Sequence, residues 1–174
     1  MKNVRIGLFM LSVLMVLVSS CKKGENDPFV SLKSRDARIT AKWKLTKIEG
    51  TSNSEVVTYD GATLSEGGEI TYKNASFEMT IDKDGILTST EVKTLNFLNS
   101  KETIESATGF WAWLGANKEK TYINLSTGGP FGLSVATYYI DQLKSSELVL
   151  KYYATSTNAN TTYVTDLKLT FEKQ

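Results

Sequence analysis

Ala75, Phe77, Met79 and Ile81 alternate with Ser76, Glu78, Thr80 and Asp82, and this period of two limits the fold more than any other feature of the chain. A backbone with apolar side chains at every second position buries one face and wets the other only when it is extended. The pattern returns near the C-terminus. There Tyr163, Thr165, Leu167, Leu169 and Phe171 share one face, and Val164, Asp166, Lys168, Thr170 and Glu172 share the other. Leu148, Leu150 and Tyr152 repeat the scheme. From Trp43 onward β-branched and aromatic residues dominate, and turn residues recur roughly every 8–12 positions. Asp84-Gly85 predicts a two-residue hairpin turn into a strand over Ile86–Leu95. Asn96 to Ser106 has no alternation and reads as a loop or short helix. Ser31 to Thr40 reads as a short helix with Ser31 as its N-cap. The expectation is an all-β chain of roughly eight to ten antiparallel strands, and a sheet of that many must curl or split to cover its apolar face. The hairpin-rich order favours an up-and-down barrel over a sandwich, and no internal repeat suggests a propeller.

The N-terminus has a different character. Lys2 and Arg5 precede an uninterrupted apolar stretch from Ile6 to Val18, followed by Val18-Ser19-Ser20-Cys21. Thirteen residues are too few to cross a bilayer, which takes about 20. The basic start, the apolar run and the small residues before a cysteine resemble the signal peptide and lipobox of bacterial lipoproteins. That resemblance implies cleavage before Cys21 and a thiol carrying lipid, palmitate included, so that the protein is tethered to a membrane. Lys22 stands where an Asp would favour inner-membrane retention, which points to the outer membrane. Lys22-Lys23-Gly24-Glu25-Asn26-Asp27 leaves open which face carries the anchor. The alternatives are an ordinary secretory signal with an incidental cysteine, or a buried N-terminal helix. The expected organisation is a signal peptide over 1–20, a lipidated Cys21 and polar tether over 21–29, and a barrel domain over 30–174.

Residues 21–174 hold 18 basic and 19 acidic side chains, with no basic stripe to grip nucleic acid. Cys21 is the only cysteine, so with its thiol acylated no disulfide forms within the chain. Histidine is absent, which removes the commonest general base and the commonest metal ligand together. Asp82-Lys83-Asp84-Gly85 has its glycine too early for an EF-hand loop and is better read as a turn. Gly67-Gly68 and the loop Gly128-Gly129-Pro130-Phe131-Gly132 lack the ending of a phosphate loop and read as strand connections. No Gly-x-Ser-x-Gly elbow is present, and no serine–lysine pair stands out. The carboxylate pairs Glu66/Glu69, Asp82/Asp84 and Glu102/Glu105 lie in loop-like or turn stretches, where solvated acids are the ordinary explanation. No catalytic residue, cofactor or metal ligand is assigned, and the expectation is a protein that is not an enzyme.

Ala41-Lys42-Trp43-Lys44-Leu45, opening the first strand after a short helix, is similar to the start of lipocalin-like domains in Bacteroidetes lipoproteins. Phe77-Glu78-Met79-Thr80-Ile81, Gly109-Phe110-Trp111-Ala112-Trp113 and Tyr139-Ile140-Asp141-Gln142-Leu143 extend the similarity in order along the chain. Trp43 matches the tryptophan that plugs the closed end of a lipocalin barrel. Ala41 replaces the usual preceding glycine, and the cysteine pairs of secreted lipocalins are missing, which places the resemblance in the wider lipocalin-like group. The resemblance implies binding of an apolar or amphipathic small molecule in the barrel interior. Trp43, Phe110, Trp111 and Trp113 are the candidate lining residues, with either the Trp111/Trp113 face or the Phe110/Ala112 face turned inward. Tyr138-Tyr139 and Tyr152-Tyr153 each put one aromatic on each face of a strand. The competing expectation is a filled barrel that contacts a protein or glycan of the cell envelope.

Overall fold

The computed structural model describes residues 27, 33–68, 70–95, 101–114, 120–126, 130, 136–158 and 161–174. Cys21, residues 1–20 and nearly all of the tether lie outside the described residues, as does Ser31. Among the described residues run one helix, α1 (Arg35–Ile39), and ten strands. These are β1 (Ala41–Ser52), β2 (Glu55–Tyr59), β3 (Leu64–Glu66), β4 (Ile70–Ile81), β5 (Ile86–Leu95), β6 (Glu102–Trp113), β7 (Tyr122–Leu125), β8 (Ala136–Leu143), β9 (Glu147–Asn158) and β10 (Thr161–Lys173). Each pairs antiparallel with its neighbour in sequence, and β10 returns to β1, giving a closed up-and-down barrel of lipocalin-like architecture.

The two ends of the barrel differ. At the start of β1, Ala41–Lys44 pair directly with Glu78–Ile81 of β4. Further along, Ile48–Ser52 of β1 pair with β2 instead, so the short β2–β3 hairpin is spliced between β1 and β4 in one half only. α1, with Ile39 and Trp43 buried, sits at the first end; at the second, β2 and β3 add two strands to the circumference.

Alternation along the strands sets the core. Phe77, Met79 and Ile81 of β4 meet Leu167, Leu169 and Phe171 of β10 and Leu148 and Leu150 of β9 in one apolar cluster. The rings of Phe77 and Phe171 meet edge to face at 6.5 Å. Gly50 is where β1 and β10 approach most closely. Its φ is +139°, and a Cβ there would lie 2.0 Å from the carbonyl oxygen of Asp166, so only glycine fits.

Ser34, not Ser31, caps α1: its hydroxyl accepts from the Ala37 amide at 3.2 Å. The helix begins at Arg35, about one turn later than a cap at position 31 would start it. Five residues cannot hold a helix by propensity alone. Ile39 is fully buried, and Arg38 donates to the Leu143 carbonyl and pairs with Asp27 at 3.4 Å. Trp43 completes the fastening by donating its indole N–H to the Ile39 carbonyl at 2.8 Å, satisfying an acceptor that the helix end leaves open.

Two local expectations are corrected. Glu102–Ser106 is part of β6, paired with β5 over Thr90–Thr94, rather than loop or helix. Both faces of this stretch are exposed, so no alternation was there to be read. The β4–β5 turn spans four residues rather than two. The Asp82 carboxylate accepts from the amides of Asp84 and Ile86, both at 2.8 Å, and Gly85 takes φ +84°. Gly67-Gly68 connects β3 to β4 as expected. Of the Gly128–Gly132 loop only Pro130 is among the described residues.

Candidate functional site at the open half of the barrel

Strand register divides the interior into two zones. On the closed side the inward positions are large and apolar. Trp43, Leu45, Met79, Ile81, Leu87, Ile123 and Phe171 are each at most 2% exposed. Toward the other end the same inward faces turn polar. Along β5 they read Leu87, Ser89, Glu91, Lys93; along β10, Leu169, Leu167, Thr165, Tyr163; along β9, Leu150, Tyr152, Ala154, Ser156. On β6 the inward positions Ala107 and Glu105, paired with Ser89 and Glu91, are open to solvent.

Charges gather at this mouth. Lys93 Nζ lies 2.7 Å from the Glu91 carboxylate and 5.5 Å above the Tyr72 ring. Burial acts to lower the Lys93 pKa, but the Glu91 hydrogen bond and the charges of Glu91 and Glu105 outweigh it and hold the ammonium above its ordinary value. Glu66 is raised as well, which in its case disfavours the charge: burial pushes its carboxyl up, Lys93 offsets part of this, and Glu91 and Glu55 reinforce it. The carboxylates of Glu91, Glu105 and Glu66 therefore act on one ammonium, with Glu55 acting on Glu66, an acidic balance that favours a cationic or hydrogen-bond-donating group.

Tyr138 stands at the boundary of the zones. Its side chain is fully buried and faces inward beside Tyr152, with ring centroids 5.6 Å apart. Its hydroxyl has no hydrogen-bond partner among the described residues. Burial raises its pKa strongly, with the neighbouring Tyr152 adding to the effect, so the group is a neutral phenol with one donor to offer. An unmet buried hydroxyl costs about 1–3 kcal/mol.

The tryptophans lie elsewhere. Trp43 is fully buried at the α1 end, its indole N–H on the Ile39 carbonyl. Trp111 and Trp113 take the inward face of β6, but on the closed side, meeting edge to face at 5.8 Å. Trp111 donates to the Asp82 carbonyl at 2.7 Å, and Trp113 to the Asp36 carboxylate at 2.7 Å. Lys120 pairs with the same carboxylate and lies 5.7 Å over the Trp113 ring. This set fastens α1 to β6. Phe110 does not line the interior: it alternates with Trp111, points outward and is 71% exposed.

Of the residues at the mouth, Tyr72, Ser89, Glu91 and Lys93 were not singled out from the sequence, while Glu66 entered only as a carboxylate beside Glu69 and Tyr138 only as one of two aromatics on opposite strand faces. A signal was present: the inward series of β5 runs from Leu87 into Ser89, Glu91 and Lys93, a strand whose core face turns polar halfway along. Two outer hollows were also weighed. One of about 590 Å³ lies at the rim between Glu55, Val56, Gly67 and Gly68, and one of about 400 Å³ lies beside Thr46, Lys47, Asp60 and Thr63. Both lie around the β2–β3 hairpin and lack a buried polar group aimed into them among the described residues.

No protein-family description matches the chain, and no curated protein is significantly similar to it in sequence.

Proposed function

We propose that the protein is a non-catalytic, lipid-anchored carrier of the bacterial outer membrane that holds an amphipathic small molecule in the open half of its barrel. The observation that carries the reading is the Tyr138 hydroxyl, buried at the boundary of the apolar and polar zones and without a hydrogen-bond partner among the described residues. A ligand reaching that depth would lay its apolar body against Tyr138, Tyr152 and the underlying Leu150 and Leu167. Its polar end would meet Glu66, Glu91 and Lys93 at the mouth. Donor-bearing or cationic heads suit the acidic excess there, and a fatty amine fits it better than a fatty acid.

The test is titration of the purified protein with a fluorescent fatty amine and its fatty-acid counterpart. Saturable one-to-one binding that favours the amine, and that fails in Ala107→Trp, supports the reading. Ala107 is exposed on the inward face, so the larger ring obstructs the mouth at little cost to folding. Absence of saturable binding would move the reading to an envelope interaction module. The closed half, packed with Trp43, Tyr59 and Phe171, is what such a filled barrel would look like. The anchor has its own check. Cys21→Ala should release the protein from membranes and remove the lipid mass, and retention at unchanged mass would defeat the lipoprotein reading.

A further inference from the structure

Ile86, Phe110, Leu114 and Tyr122 are 41%, 71%, 49% and 46% exposed, and the strand pairings make them neighbours. Ile86 stands directly opposite Phe110. Phe110, Ala112 and Leu114 follow one another along the outer face of β6, and the Leu114 amide donates to the Tyr122 carbonyl. Tyr122 pairs with Tyr139 of β8, ring to ring at 5.5 Å. The outcome is one continuous apolar and aromatic flank across β5 to β8, on the closed half of the barrel. Scattered exposed apolar residues need no explanation, but a connected set with two tyrosines does.

The chain's N-terminal side enters beside this flank. Tyr139 is close enough to Arg35 to act on its charge, and Arg35 pairs with Asp27 at 3.5 Å. Asp27 in turn accepts from the Leu143 amide of β8 at 2.6 Å. Five residues separate Asp27 from Cys21, and the six steps from one to the other span no more than about 22 Å when fully extended. A lipid on Cys21 would therefore hold the bilayer surface within about 22 Å of Asp27, on the β8 side of the flank.

We propose that this flank, formed by Ile86, Phe110, Leu114, Tyr122 and Tyr139, rests in the headgroup region of the bilayer that carries the anchor. The inference rests on the lipoprotein reading of Cys21. Tyrosine, phenylalanine and leucine suit that layer because each offers an apolar body, and tyrosine adds a polar tip. The acyl chains supply attachment, and the flank sets orientation. With it seated, α1 and the tryptophan-closed end face the membrane side and the mouth at Glu66 and Lys93 points away, toward solvent and incoming ligand.

The experiment uses the full chain, purified from membranes and reconstituted into phosphatidylethanolamine–phosphatidylglycerol vesicles containing headgroup-spin-labelled lipid. A fluorophore is attached at Tyr122→Cys or, as a second site, Leu114→Cys. Control labels are attached at Ile104→Cys and Val56→Cys, which are exposed outward positions on the other half of the barrel. The mass of each protein reports acylation of Cys21 separately. Quenching at Tyr122 and Leu114 at least threefold stronger than at the controls supports the proposal. Equal quenching at all four positions of an acylated, vesicle-bound protein overturns the orientation and leaves the anchor standing. An unacylated chain that stays off the vesicles overturns both.

Discussion

A missing side chain at Gly50 lets two strands touch. Any Cβ would meet the Asp166 carbonyl at 2.0 Å, and the φ of +139° is one that other residues resist. Gly50→Ala should lower stability by at least about 2 kcal/mol, read as a shift in the urea midpoint. Tyr138 poses the opposite case, a hydroxyl present without a hydrogen-bond partner among the described residues. Tyr138→Phe should raise the stability of the ligand-free protein by about 1 kcal/mol while weakening ligand binding roughly tenfold, because the hydroxyl contributes only when occupied. A fall in stability with unchanged affinity would count against its role. Glu66 carries a pH signature. Its folded pKa lies above the ordinary 4.5, so below that value the native and unfolded states are both protonated and no penalty arises. Stability is lost as pH rises through the folded pKa. Glu66→Gln should therefore raise the urea midpoint at pH 7, and the gain should vanish near pH 4.

At the scale of elements, α1 is the piece whose existence depends on others. Asp36 is held below its ordinary 3.8, first by the Lys120 hydrogen bond, with burial opposing it and the Trp113 hydrogen bond and the Lys120 charge adding to the lowering. A depressed carboxyl stabilises above its unfolded pKa and loses that effect as pH falls through the folded one. The fastening of α1 to β6 should thus persist down to about pH 4 and release in stronger acid. Asp36→Asn should release it at neutral pH, seen as faster hydrogen exchange over Arg35–Ile39. Trp43→Ala removes both plug and cap, and should cost about 3–5 kcal/mol by urea unfolding. How legible each element was in the sequence follows the same physics. β4 and β10 were plain because one face is dry and the other wet, leaving Phe77–Met79–Ile81 and Leu167–Leu169–Phe171 as a printed period of two. The start of β6 was not, because Glu102, Thr103, Ile104 and Glu105 are wet on both sides. The Asp-Gly signal located the β4–β5 turn but not its length, which the Asp82 carboxylate determines by holding two amides.

For the molecule as a whole, the closed barrel was legible because strand count and hairpin order leave few ways to cover an apolar face. The site was less so. Trp43, Trp111 and Trp113 drew attention as large aromatics, yet they fasten and close the sealed end. Which face of a strand points inward, and how far down the barrel water reaches, depend on register and closure that no local run of residues encodes. The polar turn in β5 from Leu87 to Lys93 was the local trace of the mouth. Among the described residues, α1 and the tryptophans sit at one end of the barrel, and Tyr138, Glu66 and Lys93 lie toward the other. The most direct test is native mass spectrometry of residues 22–174, secreted into the periplasm of the producing bacterium and purified without detergent. The account predicts a reproducible extra mass that leaves on denaturation and is reduced in Tyr138→Phe. A bare protein mass in every gentle preparation, together with no saturable uptake of added fatty amine, would contradict it.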